Sequence, residues 1–164
     1  MLRVAHAIDR FTERSGLWFA WLLAPLLGAV TWEVVARYVF NAPTRWAYEA
    51  IYMLYAALFM LGAAYGLRVG AHVRTDFLWQ RWRPRTRAAI EIVAYVALFF
   101  PGMLLFLFSG LEFTWESWRA NERSADTSWL PPLWPLKALV PLSSLLLMVQ
   151  GFSELLKSLH AWRE

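Results

Sequence analysis

Residues 92–111, IVAYVALFFPGMLLFLFSGL, contain no Asp, Glu, Lys or Arg. A hydrocarbon layer about 30 Å thick is crossed by about 20 helical residues at 1.5 Å rise, so this stretch predicts a membrane span. Residues 17–32, 50–67 and 138–153 are free of the same four residue types. Four spanning helices follow, with aromatic or snorkelling residues completing the shorter ones. Over the whole chain of 164 residues, 59% are hydrophobic and 17% charged, against about a quarter charged in soluble domains. Four spans leave short connections, with no room for a separate soluble catalytic domain of roughly 100 residues.

The predicted fold is therefore an all-α integral membrane domain over residues 1–164. Its spans lie at 16–40, 46–67, 88–115 and 135–158. An interfacial segment at 1–15, a cytoplasmic amphipathic connection at 68–87 and a periplasmic loop at 116–134 complete it. Arg3, Arg10, Arg14, Arg68, Arg74, Arg81, Arg83, Arg85, Arg87, Lys157 and Arg163 fall on one side, and Arg37, Arg45, Arg119, Arg123 and Lys137 on the other. Eleven against five puts both termini in the cytoplasm. Trp32, Trp46, Trp115, Trp118, Trp129 and Trp134 at the outer ends, and Trp18, Trp21, Trp79, Trp82 and Trp162 at the inner ends, form an aromatic belt.

The first span reads as a retained signal anchor, since no small-x-small cleavage site follows it. Before it, Leu2, Ala5, Ile8 and Phe11 recur at helical spacing opposite Arg3, Arg10 and Arg14, which predicts a helix on the membrane surface. In the second connection Phe77, Leu78, Trp79 and Trp82 alternate with Arg74, Gln80, Arg81 and Arg83, predicting an interfacial helix stopped by Pro84. Its Arg74, Arg81, Arg83 and Arg85 would face anionic lipid at about 1 kcal/mol each. With basic residues clustered beside apolar helix ends, the net charge of +4 points to lipid headgroups and away from nucleic acid.

A carrier needs polar groups or broken helices near the bilayer midplane. Here Glu33, Arg37, Glu49 and Glu112 lie near the outer boundary and Glu91 and Glu154 near the inner one, so the chain alone offers cargo no foothold. Pro25, Pro101 and Pro141 are expected to kink packed helices. The chain has no cysteine, which excludes disulfides and thiolate sites. His6, His72 and His160 sit at cytoplasmic margins, unsuited to clasp a haem, and no catalytic, phosphate-binding or metal-ligand spacing is visible. The reading is of a protein without an active site.

The densest pattern lies on the outer side. Glu33 and Arg37 are i,i+4, and Arg45 and Glu49 share that spacing after a turn at residues 41–43. These four charges either pin the first helical hairpin or offer one member to a partner subunit. His72-Val73-Arg74-x-Asp76 caps the second span together with Arg68; it lacks a nucleophile.

In order, Glu33-x3-Arg37-Tyr38-x-Phe40-Asn41-x-Pro43-x2-Trp46-x2-Glu49, Gly66-x-Arg68, His72-Val73-Arg74-x-Asp76, Pro132-x-Trp134, Pro141 and Gln150-Gly151 resemble the small, DctQ-type membrane subunit of tripartite ATP-independent periplasmic (TRAP) transporters. The resemblance implies a bacterial inner-membrane scaffold subunit packed against a large membrane subunit. That larger subunit would carry the sites for an organic acid and for the coupling ion, usually sodium, while this chain binds no cofactor. A periplasmic binding protein would deliver the substrate, and Arg119, Glu122, Arg123 and Asp126 are candidates for docking it. The competing reading is an autonomous homodimeric four-helix carrier. It would need an acid deep in a span, and Glu33 is the sole, shallow candidate. An anchor for a respiratory complex would need haem or quinone ligands.

Overall fold

The computed structural model describes residues 1–71 and 84–163. Helix α1 (Leu2–Ala20) and helix α2 (Leu23–Tyr38) are separated only by Trp21 and Leu22. Pro25 accounts for the break: it has no N–H for the carbonyl of Trp21, and its ring would strike that carbonyl in a continuous helix. The chain tightens instead, with i→i+3 bonds from Trp21 N to Trp18 O, Leu22 N to Phe19 O and Ala24 N to Trp21 O. Helix α3 covers Ala47–Arg68. Helix α4 (Pro84–Ala94) passes through a π-helical turn (Tyr95–Phe99) into α5 (Phe100–Arg119). The wider turn lies just ahead of Pro101, which cannot donate to the carbonyl of Ala97. Helix α6 runs Trp134–Arg163 through Pro141, where the Ser143 and Ser144 hydroxyls both donate to the Val140 carbonyl.

Among the described residues, four helical stretches are long and apolar enough to cross a membrane: Leu2–Tyr38, Ala47–Arg68, Arg85–Arg119 and Trp134–Trp162. The all-helical, four-span fold expected from the charge-free runs is thus observed. α6 packs against α1, α3, α4 and α5, while α3 packs against α1 and α2. Small residues set the closest crossings. A Cβ on Gly110 would lie 2.9 Å from the Pro141 ring, and one on Gly151 would lie 2.3 Å from the Phe99 ring.

Helix α1 departs from the simple amphipathic picture. Each i→i+3 step falls about 60° short of a full turn, so Leu2, Ala5, Ile8 and Phe11 spread around the helix and do not share a face. Ala5 and Thr12 are buried against the bundle, with Gly16 against Tyr65, whereas Phe11 is 54% and Trp18 77% exposed. Phe11 lies outward beside Arg10 and Arg14, a correction to the pattern read from spacing alone. α1 touches α3 at Tyr65 and Arg68, about 27–32 Å along that helix, and α6 from Gln150 to Lys157, about 24–35 Å along it. It therefore crosses the same end of both helices, roughly one hydrocarbon thickness from their starts.

Candidate functional site

The polar side chains gather in two clasps, one at each end of the bundle. In the clasp at the α2–α3 turn, on the side that the sequence predicts to be outer, Glu33, 8% exposed, accepts from Arg37 Nε at 3.0 Å through one oxygen. Its other oxygen accepts from the Thr44 backbone N–H at 3.1 Å and from the Thr44 hydroxyl. Thr44 Oγ1 in turn accepts from Ala47 N, so one carboxylate ties the end of α2 to the start of α3. Asn41, at φ 50°, makes the reversal between them, a left-handed conformation that Asn tolerates.

Glu49, 3% exposed, accepts from the hydroxyl of Thr127 and so holds the α5–α6 loop to α3. That loop is stitched by Ser124 N to Pro131 O at 2.9 Å and Leu133 N to Glu122 O at 3.0 Å. Lys137 forms an ion pair with Glu122 and lies 3.8 Å from the centre of the Phe113 ring. The bond from Lys137 holds the Glu122 carboxyl below the usual carboxylate range. A group depressed in the folded state contributes stability above its unfolded value and loses it as pH falls through the folded one. Acidification below the ordinary carboxylate range should thus loosen this loop, followed as lower amide protection factors, relative to the intrinsic rates at each pH, at Ser124 and Leu133. Lys137→Met should loosen it already at neutral pH.

The inner clasp joins α1 to α6. Asp9 accepts from Gln150 Nε2 at 2.9 Å, Ser153 Oγ at 2.7 Å and Lys157 Nζ at 3.4 Å. Glu154 accepts from the same Gln150 amide and the same Lys157 ammonium. Ser153 also bonds the Ala5 carbonyl, and both Gln150 and Ser153 are fully buried. Arg68 reaches Glu13 at 2.9 Å, and the Ser158 hydroxyl bonds Glu91, tying α1 to α3 and α6 to α4.

Of the residues singled out from sequence, Glu33 and Arg37 meet as their spacing suggests. Arg45 and Glu49 do not pair: α3 begins only at Ala47, so Arg45 stands outside the helix whose geometry would bring them together, and it is exposed. Arg68 faces Glu13. Arg85 is exposed at the start of α4, while His72, Arg74, Asp76, Arg81 and Arg83 lie outside the described residues. Arg119 and Asp126 are exposed, but Glu122 is held by Lys137, and Arg123 donates to the Leu130 carbonyl. Asp9, Thr44, Thr127 and Ser153 were not singled out. Gln150 entered only as part of a short motif, although it is the hub of the inner clasp.

Residues 26–161 match the family described as tripartite ATP-independent periplasmic transporters, DctQ component. The chain belongs to this family. It is similar to the sialic acid TRAP transporter small permease protein SiaQ of Vibrio cholerae, 25% identical over 77 residues, covering 47% of this chain and 44% of the relative. The C4-dicarboxylate TRAP transporter small permease protein DctQ of Vibrio cholerae is 26% identical over 132 residues, 71% of this chain and 55% of the relative. That of Rhodobacter capsulatus is 31% identical over 103 residues, 62% and 44%. The chain thus spans about half the length of the curated relatives it matches. A DctQ component with four membrane-crossing helices is a multi-pass protein of the inner membrane.

Proposed function

We propose that this chain is the static, non-catalytic scaffold subunit of a TRAP transporter, lying with both termini in the cytoplasm and packed against the large membrane subunit. The larger subunit binds the substrate and the coupling ion, sodium in the family's usual case, and a periplasmic binding protein delivers an organic acid. The relatives' names mention sialic acid and C4-dicarboxylates, both organic acids, which supports that substrate class.

One observation carries the scaffold reading. The buried carboxylates Glu33 and Glu49 are used within the chain, while one stripe of α3 is left bare: Tyr48, Tyr52, Tyr55 and Phe59 are 58–71% exposed, and Gly62 has open space before it. Tyr55 lies about 12 Å along α3, where lipid tails offer its hydroxyl no partner. A neighbouring protein helix satisfies it, and the groove beside Phe59, Gly62 and Gly66 admits close backbone approach.

The test is co-expression with the large membrane subunit of the same transporter, expected to be encoded beside this chain. An affinity tag on the wild type should recover that protein at near-equal amounts, and Gly62→Leu should lower recovery about tenfold while leaving this chain's own melting unchanged. Purification as a stable homodimer that transports in liposomes alone would overturn the scaffold reading in favour of an autonomous carrier.

A further inference from the structure

The outward face of α1 combines positive charge with exposed apolar surface. Arg3, Arg10 and Arg14 form a ridge on it, and Val4, Phe11 and Trp18 form a second ridge alongside, at 52%, 54% and 77% exposure. No carboxylate ion-pairs with these three arginines among the described residues, although Glu13 and Asp9 on the same helix are both engaged elsewhere. The Arg10 Nε donates to the His6 carbonyl at 3.4 Å, which steadies the guanidinium. Between the ridges lies a groove of about 450 Å3 lined by Ala7, Arg10, Phe11, Arg14, Ser15 and Trp18.

We propose that this groove is a binding site for one anionic phospholipid of the adjacent leaflet. Arg10 and Arg14 are one helical turn apart, so their guanidinium groups can donate together to one phosphodiester. Phe11 and Trp18 then lie against the glycerol and the upper acyl chain, where an aromatic ring is at home. The depth fits independently. The inner clasp and the Glu13–Arg68 pair fix α1 across α3 and α6 about one hydrocarbon thickness from the outer ends, which is headgroup level. The same clasp dictates the roll of the helix: with Ala5, Asp9 and Thr12 turned to the bundle, the arginines can only face outward. A soluble acidic protein would match the arginines and leave the exposed Phe11 and Trp18 unused. An anionic lipid uses both ridges. The site is independent of the scaffold reading, since it needs only that the chain lies in a membrane.

The chain has no cysteine, so Leu17→Cys, at an exposed position of α1 outside the groove lining, carries a single fluorophore beside the groove. In nanodiscs of phosphatidylcholine, nitroxide-labelled phosphatidylglycerol should reach half-maximal quenching at a mole fraction about tenfold lower than nitroxide-labelled phosphatidylcholine. Arg10→Gln/Arg14→Gln should abolish that preference, and inorganic phosphate should not displace the labelled lipid. Equal quenching by the two lipids in the otherwise unaltered protein would overturn the proposal, whether or not the double variant can be made. So would a preference that survives in the double variant, or displacement by phosphate alone.

Discussion

Gly151→Val should lower the unfolding free energy of the detergent-solubilised chain by about 3 kcal/mol, the upper part of the range for overpacking a filled interior. The side chain's first atom would come 2.3 Å from Phe99 Cε1 and 2.9 Å from its Cζ. An aromatic ring at the end of a free side chain could swing away cheaply. This one is wedged, with Tyr95 edge-on at 5.3 Å and Phe100 at 5.5 Å. All three belong to the π-helical turn or its boundary, so moving the ring means rewinding the turn. In a Phe99→Ala background the valine fits the vacated space, and the double variant should be more stable than the sum of the two single losses by about 1–3 kcal/mol. Additive losses, measured by thermal unfolding followed by circular dichroism, would show that the contact does not set the crossing of α6 with the π turn.

That crossing bears on what the chain can do. α6 packs against α1, α3, α4 and α5, and the contacts that hold it include a glycine under a ring, a glycine under a proline and the buried hub Gln150. Close-packed interfaces of this kind have few alternative arrangements, so they resist gradual deformation. The outer clasp adds a second restraint, because Glu33 and Glu49 tie α2 to α3 and α3 to the α5–α6 loop. A body fixed at both ends and along its central helix is suited to the static role proposed above.

The spans, the helix irregularities beside Pro25 and Pro101 and the Glu33–Arg37 pair were legible in the sequence because each is local: a charge-free run, a missing N–H, an i,i+4 spacing. The inner clasp was not. Asp9 meets Gln150 across 141 positions and Ser153 across 144, a separation that leaves no periodic trace. Glu49 finds its partner in Thr127, a hydroxyl that no count of charges would single out. Gln150-Gly151 had been visible as a spelling, and the fold supplies the two reasons for it: an amide that bridges Asp9 and Glu154, and a bare Cα beneath Phe99. Phe11 was assigned to the wrong side because a run of i+3 steps drifts around the helix, and only the packing of Ala5, Thr12 and Gly16 decides which edge is inside.

Asp9→Ala should release α1 from the bundle at a cost of about 3 kcal/mol, since it strips a carboxylate that accepts three bonds, one of them from a cation. The groups left behind fare unequally. Gln150 and Lys157 keep Glu154, and Ser153 keeps the Ala5 carbonyl, so the loss falls on the link between helices and spares α6 itself. Amide exchange should therefore quicken over residues 2–20 and stay unchanged in α5. Asp9→Asn retains an acceptor for the Gln150 amide and the Ser153 hydroxyl while giving up the attraction to Lys157, which is one-third exposed and already paired with Glu154. It should cost about half as much. Hydrogen-exchange mass spectrometry on the three proteins in the same detergent separates the possibilities. If the alanine variant protected α1 as well as the wild type does, the Glu13–Arg68 pair, the Ser153 bond to the Ala5 carbonyl and the packing of Gly16 would suffice to hold the helix. If the asparagine variant lost as much protection as the alanine one, the ion pair with Lys157 would outweigh both neutral bonds.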